Sequence, residues 1–88
     1  MAQRTATVAS KVGLHARPAA TFTAAVSEYD LDIEIALEGG EPVDASSVLG
    51  VMTLGAGHGD KVVLTAEGEG AEEALDELVK LLETDLDA

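Results

Sequence analysis

The chain has 88 residues, of which 47% are apolar, enough to build one compact domain over residues 1–88 without stabilising cross-links. It contains no cysteine, which excludes disulfide frameworks, thiolate metal sites and cysteine nucleophiles. Seventeen acidic and five basic residues give a net charge of −12, which argues against nucleic acid and anionic membranes as partners.

The sequence also lacks the signals that direct a chain into or across a membrane. No apolar run reaches the length of a membrane span, and the N-terminus has no apolar signal-peptide core. We therefore expect a soluble, cytoplasmic protein. Its acidity fits two interpretations, ordinary solubility and adaptation to high salt, between which composition does not decide.

The first half of the chain is predicted to form a strand, a helix and a hairpin. Residues 5–9 are small and β-branched, as in a strand. From Ala16 to Glu28 apolar residues recur at intervals of three and four, which predicts an amphipathic helix. Residues 32–37 alternate between apolar and polar, and two glycines turn this strand into a short edge strand at residues 41–44.

The second half is predicted to alternate between helix and strand. A short helix covers residues 48–54, a glycine-rich loop residues 55–60, a strand residues 61–66, and a helix with a wide apolar stripe residues 71–82. The resulting order, β-α-β-β-α-β-α, predicts one sheet with helices on one side. Polar residues at alternate strand positions then face water on the other side.

The most informative segment is residues 13–18, with the sequence GLHARP, where the first loop becomes a helix. His15 falls at the predicted N-cap, before the unpaired backbone N–H groups of Ala16 and Arg17, where the helix dipole favours an anion. Arg17 adds a guanidinium suited to phosphate oxygens, and a neutral imidazole nitrogen is a nucleophile that can accept a phosphoryl group. The competing interpretation is that His15 only caps a helix.

The sequence does not contain the residues that other common catalytic sites require. The sequence has no Gly-x-Ser-x-Gly elbow and no Walker-type glycine loop. Its second histidine, His58, lies in the glycine-rich loop, where we expect a solvent-exposed residue without a function. Two histidines without helical spacing do not make a metal signature, so neither a metal nor a cofactor is expected.

The chain resembles the HPr family of histidine-containing phosphocarrier proteins of the phosphoenolpyruvate-dependent sugar phosphotransferase system. GLHARPA at residues 13–19 matches the family's active-site motif, and SVLGVM at residues 47–52 matches its regulatory-site region. The resemblance covers essentially the whole chain. It implies an α+β open-faced β-sandwich, in which three helices cover one face of a four-stranded antiparallel sheet.

The resemblance also implies a carrier rather than an enzyme. His15 would take a phosphoryl group on Nδ1 from phosphorylated enzyme I and pass it to an enzyme IIA, or to a dihydroxyacetone kinase subunit fed by the same relay. Arg17 would contact the phosphoryl group. The carrier is expected to be a monomer that meets these partners in turn.

Four small or apolar residues are candidates for partner docking, namely Ala20, Val48, Leu49 and Met52. A short helix cannot bury every apolar side chain that it carries, and helical spacing directs Val51 and Leu54 to the side opposite most of this group. The resemblance favours a docking patch beside His15. The competing interpretation is ordinary core packing.

Ser47 is a candidate for regulatory phosphorylation, because the equivalent serine is phosphorylated in some relatives. The competing interpretation is a plain N-cap, a role for which Ser46 is an equally good candidate. Two alternative functions follow from these choices. The protein could be a regulatory binding module acting through Ser47, or a small-ligand-binding α/β domain in which His15 is structural.

Overall fold

The computed structural model describes residues 2–84, which form four strands and three helices in the predicted order. The elements are β1 (Ala2–Thr7), α1 (Ala16–Val26), β2 (Ile33–Leu37), β3 (Val43–Asp44), α2 (Val48–Thr53), β4 (Lys61–Ala66) and α3 (Ala71–Leu82).

All strand pairs are antiparallel, and the strand order across the sheet is β1-β4-β2-β3. The central strand β4 pairs with β1 through Thr7 and Lys61 at one end and with β2 through Leu37 and Val62. β3 is an edge strand of two residues. The hairpin before it closes where the Gly40 N–H donates to the Leu37 carbonyl oxygen at 2.7 Å.

The helices pack on one face of the sheet and enclose a single apolar core. The largest fully buried side chains of that core are Phe22, Ile35, Leu64, Leu75, Leu78 and Leu82. On the opposite face Glu34 and Lys61 are exposed and Thr65 is half-buried, as alternation predicts. The predicted open-faced sandwich of three helices on a four-stranded antiparallel sheet is confirmed.

The first strand begins earlier than predicted. It covers Ala2–Thr7 rather than residues 5–9. The sequence pattern missed the start of this strand at Gln3 and Arg4, because a charged side chain at an inward position breaks the expected alternation of apolar and polar residues. Arg4 nevertheless faces the helices, since its guanidinium reaches Asp76 of α3 at 2.9 Å from Nε to Oδ1.

The first helix ends two residues before the predicted limit. Its last residue is Val26 rather than Glu28, and a turn follows in which the Tyr29 N–H donates to the Val26 carbonyl oxygen at 3.1 Å. Tyr29 is therefore half-buried at the rim of the core instead of lying on the helical stripe. The remaining predicted boundaries agree with the structure to within two residues.

Candidate functional site

His15 is the N-cap residue of α1. Its backbone is extended, with φ −82° and ψ −172°, and its carbonyl oxygen accepts the first intrahelical hydrogen bond, from the Ala19 N–H at 2.8 Å. The imidazole makes no capping hydrogen bond and is exposed. The ring is therefore accessible to a reactant from outside the molecule.

The first turn of α1 leaves backbone donors beside this imidazole. Because the intrahelical pattern begins at Ala19, the N–H groups of Ala16 and Arg17 precede it, and Pro18 has no N–H to leave unpaired. Pro18 is buried, whereas Ala16 and Arg17 are exposed. Within residues 2–84 the Arg17 guanidinium forms no ion pair, so it can meet an anion at the helix start.

The loop before His15 is hydrogen-bonded to the loop that follows α2. The Leu14 N–H donates to the Ala56 carbonyl oxygen at 2.9 Å. Gly13 has φ +74°, and a Cβ atom on it would lie 2.8 Å from the Gly57 Cα atom, so only glycine fits. α1 and α2 also pack against each other. The histidine and the second predicted motif therefore belong to one region of the surface.

The α2 residues predicted to dock partners are exposed. Leu49 is 75% exposed, Val48 37% and Met52 36%, whereas Val51 is fully buried as the helical spacing predicts. The alternative of ordinary core packing is wrong for Leu49, because three quarters of its surface faces solvent. Ala20 is exposed on α1.

Sequence reasoning missed one exposed apolar residue in the loop that leads into His15. Val12, in the loop before His15, is 51% exposed. A lone valine in a loop carries no periodic signal, so only its position next to Gly13 in the motif could have drawn attention to it.

Ser47, and not Ser46, caps α2. The Ser47 Oγ atom accepts a hydrogen bond from the Gly50 N–H at 3.0 Å. The Ser46 hydroxyl instead donates to Asp44 Oδ1 at 2.7 Å, and its N–H donates to the same oxygen at 2.9 Å. The expectation that Ser46 is an equally good cap is wrong, because α2 begins at Val48 and the N-cap position is therefore that of Ser47. The two bonds from Ser46 hold the pKa of Asp44 below its ordinary value.

His58 is exposed in the loop between α2 and β4. Among residues 2–84 no three His, Asp or Glu side chains gather closely enough to hold a metal ion. No helix in the described part of the chain is long and apolar enough to cross a membrane.

Charge is unevenly distributed around the candidate site. Residues 1–27 and 45–59 contain no aspartate or glutamate, so all 17 carboxylates lie in the other segments of the chain. The carboxylate-free segments supply the His15 loop, α1 and α2. Lys11 and Arg17 are exposed there. The segments that carry His15, α1 and α2 therefore have no acidic side chains of their own, although the chain has a net charge of −12.

Comparison with known proteins identifies the family. The profile of the PTS HPr component phosphorylation site matches residues 2–84. The phosphocarrier protein HPr of Streptomyces coelicolor is 45% identical over 82 residues, which cover 93% of this chain and 88% of the relative. The phosphocarrier protein HPr of Haloferax volcanii is 43% identical over 83 residues, covering 93% of each chain.

A solved structure agrees with these sequence matches. HPr-C-His from Thermoanaerobacter tengcongensis superposes with a TM-score of 0.90 at 39% identity, covering 100% of this chain and 98% of that one. Sequence and fold thus match over nearly the whole length, and the named relatives are phosphocarriers rather than catalysts. The chain belongs to the HPr family of phosphocarrier proteins of the phosphotransferase system.

Proposed function

We propose that His15 is the residue on which this phosphocarrier holds its phosphoryl group. The observation that carries the proposal is the exposed imidazole at the N-cap of α1, free of any capping bond. A neutral ring nitrogen donates its lone pair to phosphorus, and an N–P bond forms as the bond from phosphorus to the donor breaks. The reverse exchange with an acceptor returns the ring to its starting state.

The start of α1 favours the phosphorylated state. The N–H groups of Ala16 and Arg17 and the positive end of the helix dipole lie at the residue that gains about two negative charges. Arg17 supplies a permanent positive charge with several N–H donors for the phosphoryl oxygens. In this proposal both residues bind the transferred group, and His15 alone forms a covalent bond to it.

We infer that the partners dock on the exposed apolar residues next to this imidazole. Val48, Leu49 and Met52 of α2 form the patch, with Ala20 of α1, which packs against α2. Exposed apolar clusters of this kind mark protein contacts, and methionine adapts to more than one partner. The partners would be enzyme I as donor and an enzyme IIA, or a dihydroxyacetone kinase subunit, as acceptor.

We also propose that the protein is a monomer and lies in the cytoplasm. A self-associated carrier would cover the patch that its partners need, so a monomer serves the relay best. Sedimentation of the purified protein tests the monomer, and cell fractionation tests its location.

The decisive experiment is phosphorylation by enzyme I and phosphoenolpyruvate, followed by intact-protein mass spectrometry. Wild type gains the mass of one acid-labile phosphoryl group, and His15→Ala gains nothing. His58→Ala is the matched histidine control and is phosphorylated like wild type, because the His58 side chain is exposed and makes no hydrogen bond within residues 2–84. Phosphorylation of the His15→Ala variant, or an acid-stable adduct, would overturn the proposal.

Two further variants in the same assay test the supporting residues. Arg17→Ala slows transfer at least about tenfold, as expected for loss of a charge-assisted contact. Leu49→Gln raises the apparent KM for enzyme I, because it places a polar group in the patch. Thr5→Gln, on the open face of the sheet, is the control for Leu49→Gln and leaves the apparent KM for enzyme I unchanged.

Regulation through Ser47 is a separate proposal. Its hydroxyl lies at the start of α2 beside the docking patch, so a phosphate on it would add negative charge where partners approach. Incubation with an ATP-dependent kinase from the source organism tests it. A phosphate that is stable in acid and absent from Ser47→Ala would support this regulatory site.

A further inference from the structure

The segment that leads into His15 is held by elements far away in the chain. Residues 8–14 lie between β1 and α1 and form neither strand nor helix. Near their start, the Ala9 N–H donates to the Leu82 carbonyl oxygen of α3 at 3.0 Å. The other long-range backbone bonds of this segment go to the glycine-rich loop at residues 55–60.

That loop forms backbone hydrogen bonds with the segment at both of the segment's ends. At the start, the Val8 N–H donates to the Asp60 carbonyl oxygen and the Gly59 N–H donates to the Val8 carbonyl oxygen, both at 2.9 Å. At the other end, the Leu14 N–H donates to the Ala56 carbonyl oxygen at 2.9 Å. The position of the residue before His15 therefore depends on the conformation of this loop.

The backbone of this loop does not by itself favour one conformation. Three of its six residues are glycines, and Gly55 and Gly59 have φ values of +67° and +86°. Such a sequence has many accessible conformations in the absence of a constraint.

Asp60 supplies that constraint. Its Oδ2 atom accepts a hydrogen bond from the Gly57 N–H at 2.8 Å, and its own N–H donates to the Gly57 carbonyl oxygen at 3.0 Å. The first of these bonds has an ionised acceptor, which makes it stronger than a bond between neutral groups. Together they close a turn over residues 57–60, and this turn directs the adjacent Ala56 carbonyl towards Leu14.

We propose that Asp60 is a positioning residue for His15. Its carboxylate closes the turn, the turn fixes the Ala56 carbonyl, and that carbonyl holds the Leu14 N–H immediately before the histidine. Among the described residues His15 and Asp60 share no hydrogen bond or ion pair, so the effect passes through the backbone. The inference rests on the proposed function, because it assumes that His15 receives the phosphoryl group.

The test compares Asp60→Ala with Asp60→Asn, which keeps a side-chain oxygen able to accept from the Gly57 N–H. Asp30→Ala, which removes an exposed carboxylate from the turn before β2, controls for the change in net charge. Three quantities are measured: amide hydrogen exchange at Gly57 and Leu14, the NMR signals of the His15 ring, and the kcat and KM for phosphorylation by enzyme I.

In Asp60→Ala we expect exchange at both amides to accelerate about tenfold, the size of effect that one hydrogen bond supports. The His15 ring signals shift, and kcat falls several-fold while KM is unchanged because the docking patch is intact. Asp60→Asn restores all three quantities, and Asp30→Ala leaves them at wild-type values.

Three results would overturn the inference. The first is Asp60→Ala with wild-type exchange at Leu14 and unchanged His15 signals. The second is a change in KM alone, and the third is failure of Asp60→Asn to restore the ring signals. If Asp60→Ala does not fold, amide hydrogen exchange is measured in the wild-type protein alone. A wild-type Leu14 amide that exchanges as fast as an amide without a hydrogen bond also contradicts the proposal.

A failure of the proposed function gives a different pattern. In that case wild type is not phosphorylated on His15, whereas the exchange and ring-signal measurements still report whether Asp60 holds the loop.

Discussion

The adjacent residues Ser46 and Ser47 have different hydrogen-bond partners, and so they contribute differently to the stability of the fold. The Ser47 Oγ atom accepts from the Gly50 N–H inside α2, satisfying a helix donor that has no intrahelical partner. Ser46 donates twice to Asp44 Oδ1 outside the helix. An N-cap stabilises a helix directly, whereas hydrogen bonds to an exposed carboxylate compete with water.

We therefore predict that Ser47→Ala destabilises the protein by about 1 kcal/mol, lowering Tm by roughly 4–8 °C. Ser46→Ala has a smaller effect and raises the pKa of Asp44 towards its ordinary value of 3.8. Because the folded pKa is lowered in wild type, the stability lost in Ser46→Ala is present above about pH 4 and disappears as acid protonates Asp44. Thermal melts at several pH values and an NMR titration of Asp44 measure both effects.

At the scale of elements, one side chain connects an edge strand to the last helix. Arg4 of β1 contacts Asp76 at 2.9 Å and Glu72 at 3.3 Å, which lie one turn apart on α3. It also donates to the Gln3 carbonyl oxygen at 2.8 Å. The two carboxylates raise the pKa of Arg4, Asp76 contributing most. This contact links β1 to α3 on the helix-covered face of the sheet.

We predict that Arg4→Met lowers the free energy of unfolding, and that the difference from wild type shrinks in molar salt, where exposed charges are screened. Lys80→Met is the control. Within the described residues 2–84, the Lys80 ammonium forms one exposed ion pair, with Glu77 at 3.6 Å, and such pairs contribute little. Urea unfolding at low and high salt measures both variants. An Arg4→Met deficit that is independent of salt would assign the effect to packing instead.

At the scale of the whole molecule, the acidic residues lie outside the chain segments that carry the proposed docking surface. The 17 carboxylates leave residues 1–27 and 45–59 free of acid. A basic partner would be drawn to the acidic segments of the chain, and an acidic partner would be repelled by them and least by the acid-free segments, which include His15. Like charges separated by less than the Debye length also repel each other within the folded state.

We predict that added salt stabilises the protein and speeds its phosphorylation, because screening reduces both repulsions. On the docking surface, Ala20→Glu slows phosphorylation, and salt restores part of the rate. Ala20→Gln is the neutral control at the same position, and Gln3→Glu adds the same charge on the open face of the sheet. Urea unfolding and initial transfer rates across a salt series measure these effects. Transfer that slows steadily with salt would contradict the prediction.

The amino-acid sequence alone determined the order of the elements, the N-cap position of His15 and the glycine-rich loop after α2. These features are local, because helical or strand periodicity and capping chemistry depend on residues a few positions apart. The residue types at the predicted helix start, together with the family motif, made His15 and Arg17 candidates from the sequence alone.

Tertiary structure decided the features that depend on distant partners. The start of β1 depends on pairing with β4 and on the reach of Arg4 to α3. The link from Asp60 through the Ala56 carbonyl to Leu14 joins residues far apart in the chain. Such contacts leave no periodic trace in a sequence, since only the folded chain brings their donors and acceptors together.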